Sequence, residues 1–171
     1  MYLKRKLFII LFLAINSLAF GQNKETTLTK IGDQLPSFTF ETEKGKTVNI
    51  ENYKGKVILI NLFATWCPPC NAELPLVQKK IWDKYSSNPN FSLFVFGREE
   101  NWDKVSTFKQ KKGFTFPVLP DENRNVYKLF ATQYIPRNIL IDKDGNIIYQ
   151  SVGFTEDEFE KLVGLIDEKL K

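Results

Sequence analysis

Short apolar runs alternate with longer, helix-patterned segments along the chain. Residues 57–63 form a near-continuous apolar run, which is typical of a strand that lies in a sheet covered on both faces. A second buried strand is predicted over 91–96, and a short strand or extended link over 116–119.

Two β-hairpins are indicated where paired strand patterns flank turn residues. The first occupies 38–50 and turns at Glu43–Lys46. The second joins 138–141 to 146–149 through Asp142–Gly145.

The longest helix is predicted over 67–85. Its apolar stripe recurs at steps of three and four residues, at Leu74, Val77, Ile81 and Tyr85. Pro75 lies inside this helix and is expected to kink it, because proline lacks a helical N–H and its ring collides with the preceding turn.

Three further helices are predicted. One contains Trp102 and ends at Gly113, a short one spans 126–130, and the last begins at Thr155, where Thr155–Glu158 has the form of a capping box. Strands that alternate with helices predict an α/β domain with a central sheet covered on both faces.

The first 21 residues have the layout of a secretory signal peptide. A basic start precedes a 14-residue apolar stretch over 7–20 and a small-residue site at 19–21. The apolar stretch is shorter than the roughly 20 residues that a membrane span needs. An uncleaved N-terminal anchor is therefore the alternative to a cleaved signal peptide. We expect a flexible polar lead-in over 22–30 and a single domain over 31–171.

The net charge of +4 comes mainly from that first segment. The chain has 24 Lys and Arg against 20 Asp and Glu. Setting aside Lys4, Arg5 and Lys6 leaves 21 basic against 20 acidic residues, a net charge of +1. Acids and bases are interspersed in the remainder, so we expect no nucleic-acid partner.

The chain has no histidine and two cysteines. The lack of histidine excludes a Ser-His-Asp triad, a Cys-His pair and an imidazole metal ligand. Two cysteines exclude a four-cysteine zinc site and limit the chain to one internal disulfide. We therefore expect neither a metal nor a cofactor.

The two cysteines form the motif Cys67-Pro68-Pro69-Cys70 after the strand at 57–63. Cysteines three residues apart in a first helical turn have Cα atoms about 5 Å apart, within the range of a disulfide. The positive end of the helix dipole favours a thiolate at Cys67. This arrangement suits thiol–disulfide exchange, in which Cys67 attacks a substrate disulfide and Cys70 resolves the mixed disulfide.

Three alternatives exist for this cysteine pair. The pair could be half of a zinc site, but the chain has no further cysteine or histidine to complete it. It could be a purely structural disulfide, but the loop that it closes is too small to stabilise the fold much. It could be two unconnected buried cysteines, but the prolines between them would then be unexplained. Pro68 and Pro69 have no N–H to donate, so the Cys70 N–H is the nearest local donor to Cys67. We expect Cys67 to be activated, but less than in strongly oxidising enzymes with potentials of about −120 mV.

Residues 63–75 (Phe-Ala-Thr-Trp-Cys-Pro-Pro-Cys-Asn-Ala-Glu-Leu-Pro) resemble the thioredoxin superfamily and, within it, the TlpA/ResA-like branch of exported thiol–disulfide oxidoreductases. The resemblance extends from Ile31 to the C-terminus, with further landmarks at Gly32–Phe38, Phe116–Asp121 and Tyr134–Asp142. It implies a thioredoxin-like fold, a central mixed β-sheet flanked by helices, with an extra N-terminal β-hairpin.

The resemblance also implies roles for residues around the cysteines. Trp66 matches the aromatic residue that flanks the site, and Pro136 matches the cis-proline that packs beside the cysteine pair. Ile135 would then offer its backbone to an extended substrate segment. An ordinary trans proline is the alternative for Pro136.

Glu73 matches a glutamate that ResA-like proteins carry after the second cysteine. A buried carboxyl group with a raised pKa would exchange protons with Cys70, and a solvated glutamate near the helix N-terminus is the alternative. Asn61 stands where thioredoxin has a buried aspartate, so it either removes a proton relay or is a structural amide. Arg137-Asn138 follows Pro136, where the family more often has small hydroxyl residues, and Arg137 either shapes substrate choice or is exposed.

These features predict an exported, monomeric enzyme that reduces disulfides of exported proteins. The resemblance implies apocytochrome c as one client and a membrane-embedded thiol carrier as the electron donor. An oxidase or isomerase of the same fold is the first alternative, since direction depends on potential and partner. A peroxiredoxin-like peroxidase would need a threonine at position 64, where the chain has alanine and Thr65 follows. A copper-delivery protein would need a histidine.

Overall fold

The computed structural model describes residues 26–171, so the predicted signal segment lies outside the described residues. Between Thr26 and Lys171, no helix is long and apolar enough to cross a membrane. A five-stranded sheet forms the centre of the molecule, and a two-stranded sheet lies near the start of the described chain.

The strands of the described chain follow one another as β1 Thr39–Glu43, β2 Lys46–Asn49, β3 Val57–Phe63, β4 Phe91–Arg98, β5 Val118–Asp121, β6 Arg137–Ile141 and β7 Ile147–Val152. The central sheet has the order β5-β4-β3-β6-β7. Strands β3, β4 and β5 are parallel, whereas β6 is antiparallel to both β3 and β7. The sheet is therefore mixed, which confirms the thioredoxin-like fold that the resemblance implied.

The helices of the described chain are α1 Pro68–Leu76, α2 Asp83–Tyr85, α3 Trp102–Lys112, α4 Tyr127–Phe130 and α5 Glu156–Leu170. A π-helical segment, Val77–Trp82, joins α1 to α2. A single turn of 3₁₀ helix, Ile50–Tyr53, follows β2.

Strand β3 is buried along its whole length, as its apolar run predicts. Leu59 and Phe63 pack in the core on the face that carries α1 and α5. Ile58 and Ile60 pack in a second core on the opposite face, together with Phe40 of the N-terminal hairpin. Because a buried Leu or Ile contributes about 1.5–3 kcal/mol, β3 holds the two faces of the domain together.

The N-terminal hairpin β1-β2 covers one face of the central sheet through aromatic contacts. The ring of Phe40 lies 4.9 Å from that of Phe94 and 5.4 Å from that of Phe96, both edge-on. The turn places Gly45 at φ +82°, a conformation that glycine adopts without a Cβ clash. The predicted extra hairpin is confirmed.

The predicted helix over 67–85 is continuous and buries its apolar stripe. It does not end at Pro75: the Val77 N–H donates to both the Glu73 and Leu74 carbonyls, and the hydrogen-bond pattern then widens into the π segment. The helix thus carries the cysteine pair at its first turn and packs against β3 over several turns.

The other helix ends agree in part with their sequence signals. Gly113 is the C-cap of α3 at φ +70°, as predicted. Thr155 Oγ1 accepts the Glu158 N–H at 3.3 Å, but the Glu158 carboxylate accepts from Tyr149 Oη at 2.9 Å. Only half of the capping box forms, because Tyr149 offers that carboxylate a better donor.

Residues 26–30, within the predicted flexible lead-in, are hydrogen-bonded to the domain. Leu28 N–H donates to the Phe130 carbonyl at 2.8 Å, and Thr132 N–H donates to the Thr26 carbonyl at 3.0 Å. Thr29 Oγ1 donates to the Gln150 side chain at 2.8 Å. These partners lie about a hundred residues further along the chain, so the polar sequence of residues 22–30 alone did not predict the contacts.

Candidate active site

Cys67 and Cys70 form a disulfide between the end of β3 and the first turn of α1. Their Cα atoms are 5.3 Å apart, close to the distance that helical spacing predicts. Both residues are buried, and Cys67 is the N-cap of α1. The sequence therefore places a disulfide at a helix N-terminus, where the helix dipole stabilises the thiolate that reduction releases.

The Cys67 sulfur receives its local hydrogen bond from one backbone donor. Pro68 and Pro69 occupy the first two helical positions and have no N–H, which suits a first turn. The Cys70 N–H lies 3.3 Å from Cys67 Sγ. The motif thus limits the stabilisation that the helix start gives to a Cys67 thiolate, as expected from its prolines.

The residues that flank the disulfide include two exposed aromatic side chains. Trp66 and Tyr134 are each 61 % exposed. The Trp66 ring lies 5.8 Å from the guanidinium of Arg98, within range of a cation–π contact. Large aromatic surfaces beside a reactive pair offer an apolar platform for a partner chain.

The Ile135–Pro136 peptide bond is cis, as the resemblance implied. The Ile135 carbonyl oxygen lies 4.0 Å from Cys67 Sγ, so the loop before β6 packs directly beside the disulfide. Tyr134, immediately before it, adopts φ +67°, and its carbonyl accepts hydrogen bonds from Tyr127 Oη and Arg137 Nε. The side chains of Tyr127 and Arg137 therefore fix the loop that packs beside the disulfide.

Glu73 is buried on α1, one turn beyond Cys70, with 1 % of its surface exposed. Asn138 Nδ2 donates to Glu73 Oε1 at 2.6 Å, and Asn61 Nδ2 donates to Glu73 Oε2 at 2.9 Å. Asn61 Nδ2 also donates to Asn138 Oδ1 at 2.9 Å. The alternative of a solvated glutamate is wrong, because two amides on the sheet enclose the carboxyl group.

Burial raises the pKa of Glu73 from 4.5 to about 7, against the opposing effect of the two amide donors. The loss of hydration disfavours the carboxylate more than the hydrogen bonds favour it. A group with such a pKa is ionised in about half of the molecules near neutral pH. Glu73 therefore has the protonation behaviour of a general acid or base.

The amides that hold Glu73 are neighbours across the sheet. Asn61 of β3 pairs with Asn138 of β6, which pairs with Ser151 of β7. Asn61 is thus a hydrogen-bonded amide in a core strand, although its Oδ1 has no partner among the described residues. The sequence analysis gave Asn138 no role at the site; the available signal was an amide beside Arg137 at the start of a strand that continues as Ile139, Leu140 and Ile141.

Arg137 is buried. It is 2 % exposed, and its guanidinium donates to the Gln133, Tyr134 and Thr26 carbonyls and to Thr27 Oγ1. The alternative of an exposed Arg137 is therefore wrong, whereas its influence on substrate choice stays a prediction. Arg137 ties the loop before Pro136 to the start of the described chain, a set of partners that local sequence does not signal.

The comparisons with known proteins agree with this geometry. The Redoxin family profile matches residues 30–166. The thiol-disulfide oxidoreductase ResA of Bacillus cereus is 29 % identical, over 92 % of this chain and 94 % of its own. The ResA of Bacillus subtilis is 28 % identical, over 79 % of this chain and 75 % of its own.

Two solved structures extend the comparison to three dimensions. A Bacteroides thetaiotaomicron protein, described as a candidate protein disulfide isomerase, has a TM-score of 0.81 and 34 % identity, covering 85 % of this chain and 92 % of its own. StoA from Bacillus subtilis has a TM-score of 0.62 and 26 % identity, covering 75 % and 96 %. The chain belongs to the Redoxin family and is a ResA-like thiol–disulfide oxidoreductase of the thioredoxin superfamily, with Cys67 and Cys70 as its redox pair.

Proposed function

We propose that this oxidoreductase is exported and works as a reductant of disulfides in other exported proteins. The observation that carries the direction is the single local N–H, that of Cys70, at Cys67 Sγ. A weakly stabilised thiolate makes the reduced pair a better electron donor, because strong oxidants owe their potential to an unusually stable reduced form.

The proposed reaction begins with the reduced pair. The Cys67 thiolate attacks a client disulfide, which forms a mixed disulfide and releases one client sulfur as a thiolate that takes up a proton. Cys70 then loses its proton to the Glu73 carboxylate and attacks Cys67 Sγ. The second client sulfur leaves as a thiolate that takes up a proton, and Glu73 gives its proton back to this thiolate or to solvent. Two electrons have moved to the client, and the Cys67–Cys70 disulfide is restored.

A dithiol carrier must reduce the disulfide again. By resemblance to the family, we propose a membrane-embedded thiol carrier for this step and the cysteine pair of apocytochrome c as one client. The exposed Trp66 and the backbone of Ile135, which precedes the cis-proline Pro136, would receive the extended client segment that carries the disulfide. We expect the enzyme to act as a monomer.

The reduction potential of the Cys67–Cys70 pair tests the direction. Equilibration of the purified protein with glutathione buffers should give a value near that of thioredoxin, about −270 mV. A value near −120 mV would identify an oxidant instead. Cys67→Ser should abolish reduction of insulin disulfides. Retained insulin reduction in that variant would remove Cys67 from the mechanism.

The client and the electron donor are open to direct capture. Cys70→Ser cannot resolve the mixed disulfide, so it should retain both partners covalently at Cys67. Cys67→Ser, expressed in the same way, is the matched control because it leaves the fold and Cys70 in place. Partners that appear with both variants are not partners of the proposed reaction.

Disulfide isomerisation is the second candidate, because the relative of known structure at 34 % identity is described as a candidate isomerase. Refolding of a protein with scrambled disulfides, without added reductant, separates the two functions. A peroxidase function is disfavoured, because the Thr65 hydroxyl donates to Glu100 at 2.7 Å and position 64 is alanine.

A further inference from the structure

A second buried carboxylate, Glu100, holds the loop that leads into the cysteine pair. Glu100 is 1 % exposed and lies just after β4. Its Oε1 accepts the Thr65 N–H at 3.0 Å and the Thr65 hydroxyl at 2.7 Å, and its Oε2 lies 3.2 Å from the same N–H. Its one charged partner is Lys104, whose Nζ lies 3.0 Å from Oε1 and whose side chain is half exposed.

The backbone around Glu100 is shaped to bring this carboxylate inward. Glu99 adopts φ +61°, a left-handed conformation that non-glycine residues rarely take. The Glu100 N–H donates to the Gly97 carbonyl at 3.2 Å. A Cβ atom at Gly97 would lie 2.9 Å from Glu100 Oε2 and 2.7 Å from Val105, so only glycine leaves space for the turn. The left-handed conformation of Glu99 and the crowding at Gly97 would be unfavourable in an ordinary surface turn.

The same loop is held from the opposite side by Asn71 of α1. Asn71 Nδ2 donates to the Thr65 carbonyl at 3.0 Å and to the Cys67 carbonyl at 2.9 Å. Residues 65–67 are therefore fixed at Thr65 N–H, Thr65 C=O and Cys67 C=O. Trp66, between them, has no such bond and presents its ring to solvent.

The need for these bonds depends on the redox state. In the oxidised protein, the disulfide itself ties Cys67 to α1. Reduction breaks that covalent tie. Cys67 then keeps its backbone bonds to the Asn71 N–H at 3.0 Å and the Ala64 carbonyl at 3.1 Å, and Thr65 is held by the side chains of Glu100 and Asn71. Bonds to a carboxylate are about twice as strong as those between neutral groups, so Glu100 provides the stronger of the two attachments.

We propose that Glu100 is a positioning residue for the Cys67 thiolate: it keeps residues 65–67 in place after reduction, so that Cys67 Sγ stays beside the Cys70 N–H. The proposal rests on the proposed function only in its use of the reduced pair as the reactive form. It assigns Glu100 no contact with substrate and no part in proton transfer.

Glu100→Ala tests the proposal, because it removes both acceptor oxygens. Loss of the attachment destabilises the reduced form more than the oxidised form, so the equilibrium with glutathione should move toward the disulfide by about tenfold, or about 30 mV toward more negative potential. In a Cys70→Ser background, alkylation of Cys67 by iodoacetamide at neutral pH should slow by a similar factor. Glu100→Gln, which keeps one acceptor oxygen, should fall between Glu100→Ala and the parent protein.

Lys104→Gln is the matched control. It removes the charged partner of Glu100 and leaves both bonds to Thr65, so the potential and the alkylation rate should stay at the parent values. A parent-like potential and alkylation rate in Glu100→Ala would overturn the proposal. An equal change in Lys104→Gln would also overturn it, because the effect would then be one of charge alone.

If Glu100→Ala does not fold, Thr65→Val and Thr65→Ser test the same contact between Thr65 and Glu100. The valine variant loses the hydroxyl donor and should shift both readouts in the same direction, whereas the serine variant should match the parent. Parent-like readouts in Thr65→Val would count against the proposal. If the parent protein does not reduce insulin, the proposed function is refuted. If the parent reduces insulin and the Glu100→Ala variant has the parental potential, only the role of Glu100 is refuted.

Discussion

At the scale of single residues, the carboxyl group of Glu73 is set by two opposed effects. Burial beneath α1 raises its pKa, and the amide donors of Asn61 and Asn138 lower it. The balance leaves the pKa at about 7, the range in which a group accepts and returns protons readily. The neighbouring amides therefore tune Glu73 as much as its burial does.

Asn138→Leu should raise the pKa of Glu73 above about 7. The substitution keeps the side-chain size but removes the donor to Glu73 Oε1, and a hydrogen bond to a charged group contributes about 1.5–3 kcal/mol, or roughly one to two pH units. NMR titration of the Glu73 carboxyl carbon in the oxidised protein measures the change. Ser151→Ala removes the 3.4 Å bond from Asn138 Nδ2 to Ser151 Oγ and leaves the donor to Glu73 in place, so it is the control. Equal titration of Glu73 in the parent and in both variants would exclude tuning by Asn138.

Arg137→Lys should destabilise the protein by about 2–4 kcal/mol, despite the retained charge. A lysine ammonium cannot reproduce the planar set of donors, so the Gln133 carbonyl would lose its donors and the Thr26 carbonyl would keep only the Thr132 N–H. Urea denaturation measures the loss. Arg124→Lys is the matched control, because Arg124 is only partly buried and makes one bond to a backbone carbonyl, that of Thr132. Similar losses of stability in both variants would contradict this structural role of Arg137.

At the scale of secondary-structure elements, prediction succeeded where the signal was local. The apolar run of β3, the glycine turns of both hairpins and the Gly113 cap each depend on neighbouring residues, and all are present. The strand predicted over 116–119 begins at Val118, because pairing with β4 starts at Val95 and Val118. The strand propensity of residues 116–119 alone does not predict where their pairing with β4 starts.

The first turn of α5 illustrates the same limit and gives a prediction. Thr155→Ala should cost about 1 kcal/mol, because it removes the oxygen that accepts the Glu158 N–H. Thr155→Ser keeps that oxygen and should be close to the parent in thermal unfolding. Equal stability of Thr155→Ala and the parent would mean that water replaces the cap without loss.

At the scale of the whole molecule, the active site joins segments that are distant in sequence. Cys67, Cys70 and their prolines lie in one motif and were predictable as a unit. The groups that contact the residues around this motif come from elsewhere: Asn138 is 65 residues from its partner Glu73, and Glu100 is 35 residues from its partner Thr65. A single sequence shows that such polar residues exist, but only the sheet order places them beside the motif.

Burial of Glu73 should make the stability of the whole oxidised protein depend on pH. The folded protein holds this proton up to a pKa of about 7, whereas the unfolded chain releases it near 4.5. Between these values the folded state binds more protons than the unfolded state, so stability falls as pH rises. Below this window both states are protonated, and above it both are ionised and the loss is complete, at about 3 kcal/mol.

Glu73→Gln should therefore lose less stability than the parent between about pH 4.5 and about pH 8, by an amount on the order of 3 kcal/mol. Glu122→Gln removes an exposed carboxylate and should keep the parental dependence. The pKa of Asp121 is also raised by burial, but this contribution is common to all three proteins and cancels in their differences. Urea denaturation at both pH values supplies the comparison. If Glu73→Gln followed the parent curve, the carboxyl group would have to be hydrated in solution, and its role as the proton acceptor for Cys70 would lose its physical basis.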